Sequence, residues 1–158
     1  MVYYYHMITI NQSPTTKKLI AIIISAFLIT FVFSRLLVYL ILAGYLPPEL
    51  FLHIKGVHIH HFTYGVIILS IVGLYLILKR PAPDSRRFKL AVWFFGIGLG
   101  LTFDEFGMWI QLEDNYWIRQ SYDAVIIIAL LLLNIAYYKS VINWTKELLM
   151  LTRDLFKK

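Results

Sequence analysis

Four long apolar runs separated by short polar connections limit what this chain of 158 residues can become. They are Leu19–Leu46, Val57–Leu78, Phe88–Leu112 and Ser121–Tyr138. A helix needs roughly 20 apolar residues to cross a bilayer, and each run approaches or exceeds that length. The fourth is the shortest and uses its aromatic ends to finish the crossing. Only 15% of residues are charged and 59% are hydrophobic, against about 25% and less than half in a soluble domain. The predicted fold is therefore all-α: an integral membrane bundle of four transmembrane helices forming a single domain over residues 1–158. The first run follows Lys17 and Lys18 like a signal peptide. However, it is far longer than a secretory core of about 7–15 residues and carries no small-x-small cleavage site near its end, so it is read as a retained span.

The formal charge of +6 is not a nucleic-acid footprint, because the cations are sorted by side. Lys17 and Lys18 precede the first run. Lys79, Arg80, Arg86, Arg87 and Lys89 fill the loop between the second and third, and Lys139, Lys146, Arg153, Lys157 and Lys158 follow the fourth. Twelve of the 15 Lys and Arg residues thus lie on one face, which the positive-inside rule makes cytoplasmic. The expected location is the prokaryotic cytoplasmic membrane, multi-pass, with both termini inside and the loops Pro47–Gly56 and Glu113–Gln120 outside. Membrane lipids are the expected partners, and self-association into a homo-oligomer stays open. From Asn143 onward Trp144, Leu148, Leu151 and Leu155 fall on one helical face, which predicts a short amphipathic C-terminal helix over 143–158 lying on the inner surface. Tyr116, Trp117 and Tyr122 fit an interfacial aromatic belt.

Against this background, the polar residues gather toward the outer side. The stretch "HIHHFTYG" puts His58, His60 and His61 at the mouth of the second run, and "FDEFG" puts Asp104 and Glu105 side by side inside the third. Arg35 lies deep in the first. Charged groups at such depth cost at least about 2.5–3.5 kcal/mol on insertion scales and are expected to face the bundle interior and pair. Gly96, Gly100, Asp104, Gly107 and Gln111 share one helical face, where the glycines permit close helix approach. Asp123, Ile127, Leu130 and Asn134 form a similar stripe on the fourth run. His58, His61 and Gly65 share a side if the helix already runs at residue 58. If instead "HIH" is extended, His58 and His60 project the same way.

Imidazoles with carboxylates form a ligand set for zinc, with iron or manganese also suited. The sharpest reading takes His58, His60, His61 and Asp104 as metal ligands, Glu105 as general base on a metal-bound water, and Arg35 as anion binder. Arg119 and Asp123 would support the network. This describes a metal-dependent hydrolase acting on a lipid or lipid-linked substrate from the outer leaflet. The second reading needs no ion: Arg35 pairs with Asp104 or Glu105, Arg119 with Asp123, and the histidines bridge the acids in a polar lock of a non-enzymatic structural or accessory protein. The third is a proton or cation carrier, which requires a continuous polar route, and the inner halves of the runs offer little beyond Ser25, Thr30, Ser70, Tyr75 and Asn134. The chain has no cysteine, so thiolate chemistry and disulfides are excluded.

The motifs "SRLLVYL", "HIHHFTYG", "GIGLGLTFDEFGMW" and "YWIRQSYDAV", spread over Phe33 to Val125, resemble a family of small four-span prokaryotic integral membrane proteins. The resemblance implies the four-helix architecture and marks Arg35, His58, His60, His61, Asp104, Glu105, Arg119 and Asp123 as motif positions, and it implies no activity. A looser similarity links the His/Asp content to membrane zinc amidases of the alkaline ceramidase type. This chain departs from them in having four runs rather than seven and no HxxxH pair near its end.

Overall fold

The structure is a computed structural model that describes residues 14–155 apart from Gly56 and Asp114; His6, in the tyrosine-rich N-terminal stretch, and the last three residues fall outside that set. Five helices carry the fold: α1 (Pro14–Leu42), α2 (His61–Lys79), α3 (Arg86–Asp104), α4 (Phe106–Gln111) and α5 (Arg119–Leu155). Three of them contain segments long and apolar enough to cross a membrane: Thr15–Leu42, His61–Lys79 and Arg119–Tyr138. That fits a membrane protein. α3 has the same length as α2, but Arg86, Arg87, Lys89 and Asp104 make it more polar than α1 and α2.

α3 is the centre of the bundle because its glycines let two neighbours close in from different sides. A Cβ on Gly96 would stand 2.6 Å from the Ile23 carbonyl, and one on Gly100 would stand 2.8 Å from the Phe27 carbonyl. α1 therefore lies on the Gly96/Gly100 face. The Gly98 position meets Leu69, and a Cβ on Gly65 of α2 would stand 2.6 Å from the Thr102 amide. The order of these contacts makes α1 and α3 parallel and α2 antiparallel to them. α5 runs antiparallel to α1, with Phe31 edge-on to Tyr122 at 5.9 Å and Lys17 over the Tyr137 ring at 5.1 Å. On α1 the buried Ile20, Phe27, Ser34 and Ile41 repeat every seven residues, the seam spacing of supercoiled helices. The opposite faces expose large apolar side chains such as Ile29, Val32 and Leu36 on α1 and Ile71 and Leu74 on α2, as a lipid-facing surface does.

Several predicted boundaries are corrected. The first span ends at Leu42 rather than Leu46. Gly44 takes φ +77° there, Tyr45 N–H donates to the Leu40 carbonyl at 2.9 Å, and Gly44 N–H donates to that of Ile41 at 3.0 Å. That is a Schellman stop, which needs a left-handed residue. The second helix starts at His61 instead of Val57. The preceding residues form a two-stranded antiparallel hairpin, β1 (His53–Ile54) with β2 (Val57–His58), so the extended alternative for "HIH" applies. The third run breaks at Glu105 (φ −106°, ψ 13°) and resumes as α4. Among the described residues the C-terminal segment is not a separate helix. α5 runs unbroken through Lys139–Asn143 to Leu155, because that polar stretch contains neither Gly nor Pro to stop it.

Candidate functional site

The break in the third run is what assembles the polar cluster. Arg35, two turns before the end of α1, is 8% exposed, and Asp104 and Glu105 are 0% and 1% exposed. Arg35 Nε lies 2.6 Å from Asp104 Oδ1, and Arg35 Nη2 donates to the Asp104 main-chain carbonyl, the last of α3. One guanidinium thus holds both the carboxylate and the backbone at the point where the helix stops. The ladder restarts one residue later, with Trp109 N–H donating to the Glu105 carbonyl at 3.1 Å. The ion pair is close but off-axis: Arg35 Nε and Nη1 and both Asp104 carboxylate oxygens make no well-directed hydrogen bond among the described residues. The guanidinium is instead enclosed by rings, with its carbon 4.9 Å from the Tyr122 centroid, 5.5 Å from Phe31 and 5.9 Å from Trp117. Such contacts favour a desolvated cation.

Glu105 points to α2. Its Oε2 accepts from the Phe62 amide at 2.8 Å, one of the unpaired donors in the first turn of a helix. A carboxylate is favoured at that end by the helix dipole. Its Oε1 lies 3.4 Å from His60 Nδ1 and 3.8 Å from His61 Nδ1, while His61 Nδ1 is 3.6 Å from Asp104 Oδ2. His61 Nδ1 is buried without a hydrogen-bond partner among the described residues.

Arg35, His60, His61, Asp104 and Glu105 therefore come together from α1, α2 and the α3–α4 break. The other predicted positions do not join them. His58 belongs to the hairpin, where its Nε2 shares a hydrogen bond with the Tyr116 hydroxyl at 3.1 Å and its ring meets Phe51 at 5.0 Å. Its ring also packs on His60 at 4.7 Å, so the hairpin lies against the cluster. Arg119 and Asp123 form their own i,i+4 pair at 3.3 Å, with Arg119's side chain 88% exposed. The predicted stripe below Asp123 faces outward: Ile127 and Leu130 are 63% and 60% exposed. The face of α5 that packs inward carries Ser121, Ala124 and Val125, and Ser121 Oγ accepts from the Gly107 amide at 2.9 Å. Among the described residues, no group of three or more His, Asp or Glu side chains is arranged to hold a metal ion.

Sequence reasoning missed the ring enclosure of Arg35, the Phe62 amide and the Ser121–Gly107 bond. Phe31, four residues before Arg35 on the same helical face, was the one readable sign of the enclosure. No family model matches the chain, and neither the curated proteins nor the solved structures contain a match to it.

Proposed function

We propose that the protein is a four-span accessory protein of the prokaryotic cytoplasmic membrane, both termini cytoplasmic, whose Arg35–Asp104–Glu105–His60/His61 cluster locks the outer ends of its helices. The observation that carries this reading is the use of Arg35: it is committed to the carboxylate and the carbonyl of Asp104. That leaves the guanidinium unavailable to an outside anion and closes one side of Asp104. The alternating helix directions, with α1 and α3 opposed to α2 and α5, support α3 as the fourth crossing and agree with the resemblance to four-span proteins. The buried polar and charged side chains among the described residues are Ser34, Arg35, Asp104, Glu105 and Ser121. They sit at one end of the bundle, which leaves a transmembrane relay without intermediate stations. A reporter fused after Lys158 should read out in the cytoplasm; an external signal would overturn the topology.

A second reading is the metal-dependent hydrolase, and one observation favours it. The Nδ1 atoms of His60 and His61 and the nearest Glu105 and Asp104 oxygens are 3.4–3.8 Å apart, slightly wider than two ligands of one zinc ion with bonds of about 2.0–2.2 Å. Here His60, His61 and one of the Asp104 and Glu105 carboxylates would be ligands, with zinc favoured over iron or manganese. The spare carboxylate would be the base toward a lipid or lipid-linked substrate. Metal analysis and chelation of the detergent-purified protein decide between the two. The lock requires well under one metal equivalent and a melting temperature unmoved by EDTA. About one equivalent of zinc, lost together with several degrees of melting temperature in His61→Ala, would overturn the lock, since an ion bound only by the folded state stabilises it.

A further inference from the structure

Beside the lock lies a cavity of about 350 Å³, at the small end of the range for small-molecule sites. Glu105 and His60 form its inner wall, Glu113 stands at its rim, and Phe62, Trp109 and Leu112 supply apolar surface. The Phe62 and Trp109 rings stack at 5.6 Å with their planes 10° apart. The charges around this space do not balance. Arg35 is committed to Asp104, so Glu105 meets the Phe62 amide and two imidazole nitrogens but no permanent cation among the described residues. Glu113 adds a second carboxylate. An apolar, aromatic-walled space with two carboxylates matches a particular chemistry: a positively charged nitrogen carrying a short hydrocarbon body. The carboxylates attract the charge, an open ring face favours it, and Leu112 and the rings cover the hydrocarbon.

The geometry points to a binding site for an organic ammonium group in this cavity, formed by Glu105, Glu113, Phe62 and Trp109. The site shares Glu105 and His60 with the lock and adds Glu113 and Trp109, whose side chains take no part in it. The same chemistry is offered by a soluble alkylamine and by an ethanolamine lipid headgroup, so the test separates the two sources. The full chain is placed in nanodiscs of phosphatidylglycerol alone and titrated with n-butylammonium chloride against sodium chloride of equal ionic strength, by calorimetry and by melting temperature. The amine, and not sodium, should give saturable heat and raise the melting temperature. Glu113→Gln and Trp109→Leu, each melting within a few degrees of wild type, should weaken the binding by about three- to tenfold. Repeating the titration with phosphatidylethanolamine as half of the lipid assigns the source. Binding weakened by competition supports a headgroup ligand, and unchanged binding supports a soluble amine. An amine response no larger than that of sodium would overturn the proposal. So would wild-type binding in both variants, or a response to zinc chloride alone with none to the amine.

Discussion

Arg35→Met should destabilise the protein by about 3–5 kcal/mol, the usual result of removing one partner of a buried ion pair. The loss arises mainly from what stays behind: Asp104 and Glu105, both essentially without solvent contact, would share the bundle interior with no guanidinium. The Asp104 carbonyl at the end of α3 would lose its donor as well. Because the cost is an orphaned charge rather than a lost attraction, Arg35→Met/Asp104→Asn should recover a large part of it. Replacing both members of a buried pair is often close to neutral. Melting temperatures of the two single variants and the double variant, measured in one detergent, test this. A double variant no better than the worse single would refute the pairing. Arg119→Ala is the matched control, since its exposed partner Asp123 leaves little to lose.

The second large effect is expected at Gly65. A side chain there would meet the Thr102 amide at 2.6 Å and the Gly98 carbonyl at 2.8 Å, both backbone atoms that cannot swing aside. Gly65→Leu should therefore cost about 3 kcal/mol or more, the upper range for overpacking. It should also push the start of α2 away from the α3–α4 break, separating the Phe62 amide from Glu105. Gly73→Leu, one helix face away with nothing within 4 Å of a Cβ, should be tolerated. Pulse proteolysis of both variants provides the comparison, and equal resistance would mean that α2 and α3 do not pack at Gly65.

The helical class was readable from the apolar runs because lipid-facing and core-facing residues are both apolar, so the signal was continuous. That same continuity hid the boundaries. Nothing in hydropathy marks Glu105 as a break, since Phe106, Met108 and Trp109 prolong the run; only the backbone shows that the helix stops there. Gly44 could have been recognised as a helix stop, with the proline pair Pro47–Pro48 just beyond it. A common place toward the outer ends of the runs pointed to Arg35, His61, Asp104 and Glu105 as neighbours, and the ion pairs join them. Depth says nothing about which way a residue points around its helix, so Asp123 was grouped with them although it faces outward beside Arg119. Likewise, three closely spaced histidines read as one ligand set, whereas the hairpin places His58 beside Tyr116 and the extended residues after it bring His60 and His61 to the carboxylates.

On the proposed four-span topology, in which α3 is a crossing, its glycine lining has a consequence for biogenesis. Segments as apolar as α1 and α2 can leave the insertion machinery singly, but α3 enters with three basic residues at its start, an aspartate at its end and a middle rich in glycine. The terms that make it tolerable in lipid are supplied by other segments: α1 and α2 cover its glycine faces, and Arg35 meets its aspartate. On that topology α3 would depend on helices synthesised before it, and its integration would be coupled to their being in place. Synthesis order and fold agree, because both of its close neighbours precede it in the chain. A glycosylation tag placed after Gln111 should then report efficient crossing only when Arg35 and Gly65 are intact, so part of the damage from either substitution would already be done at the ribosome.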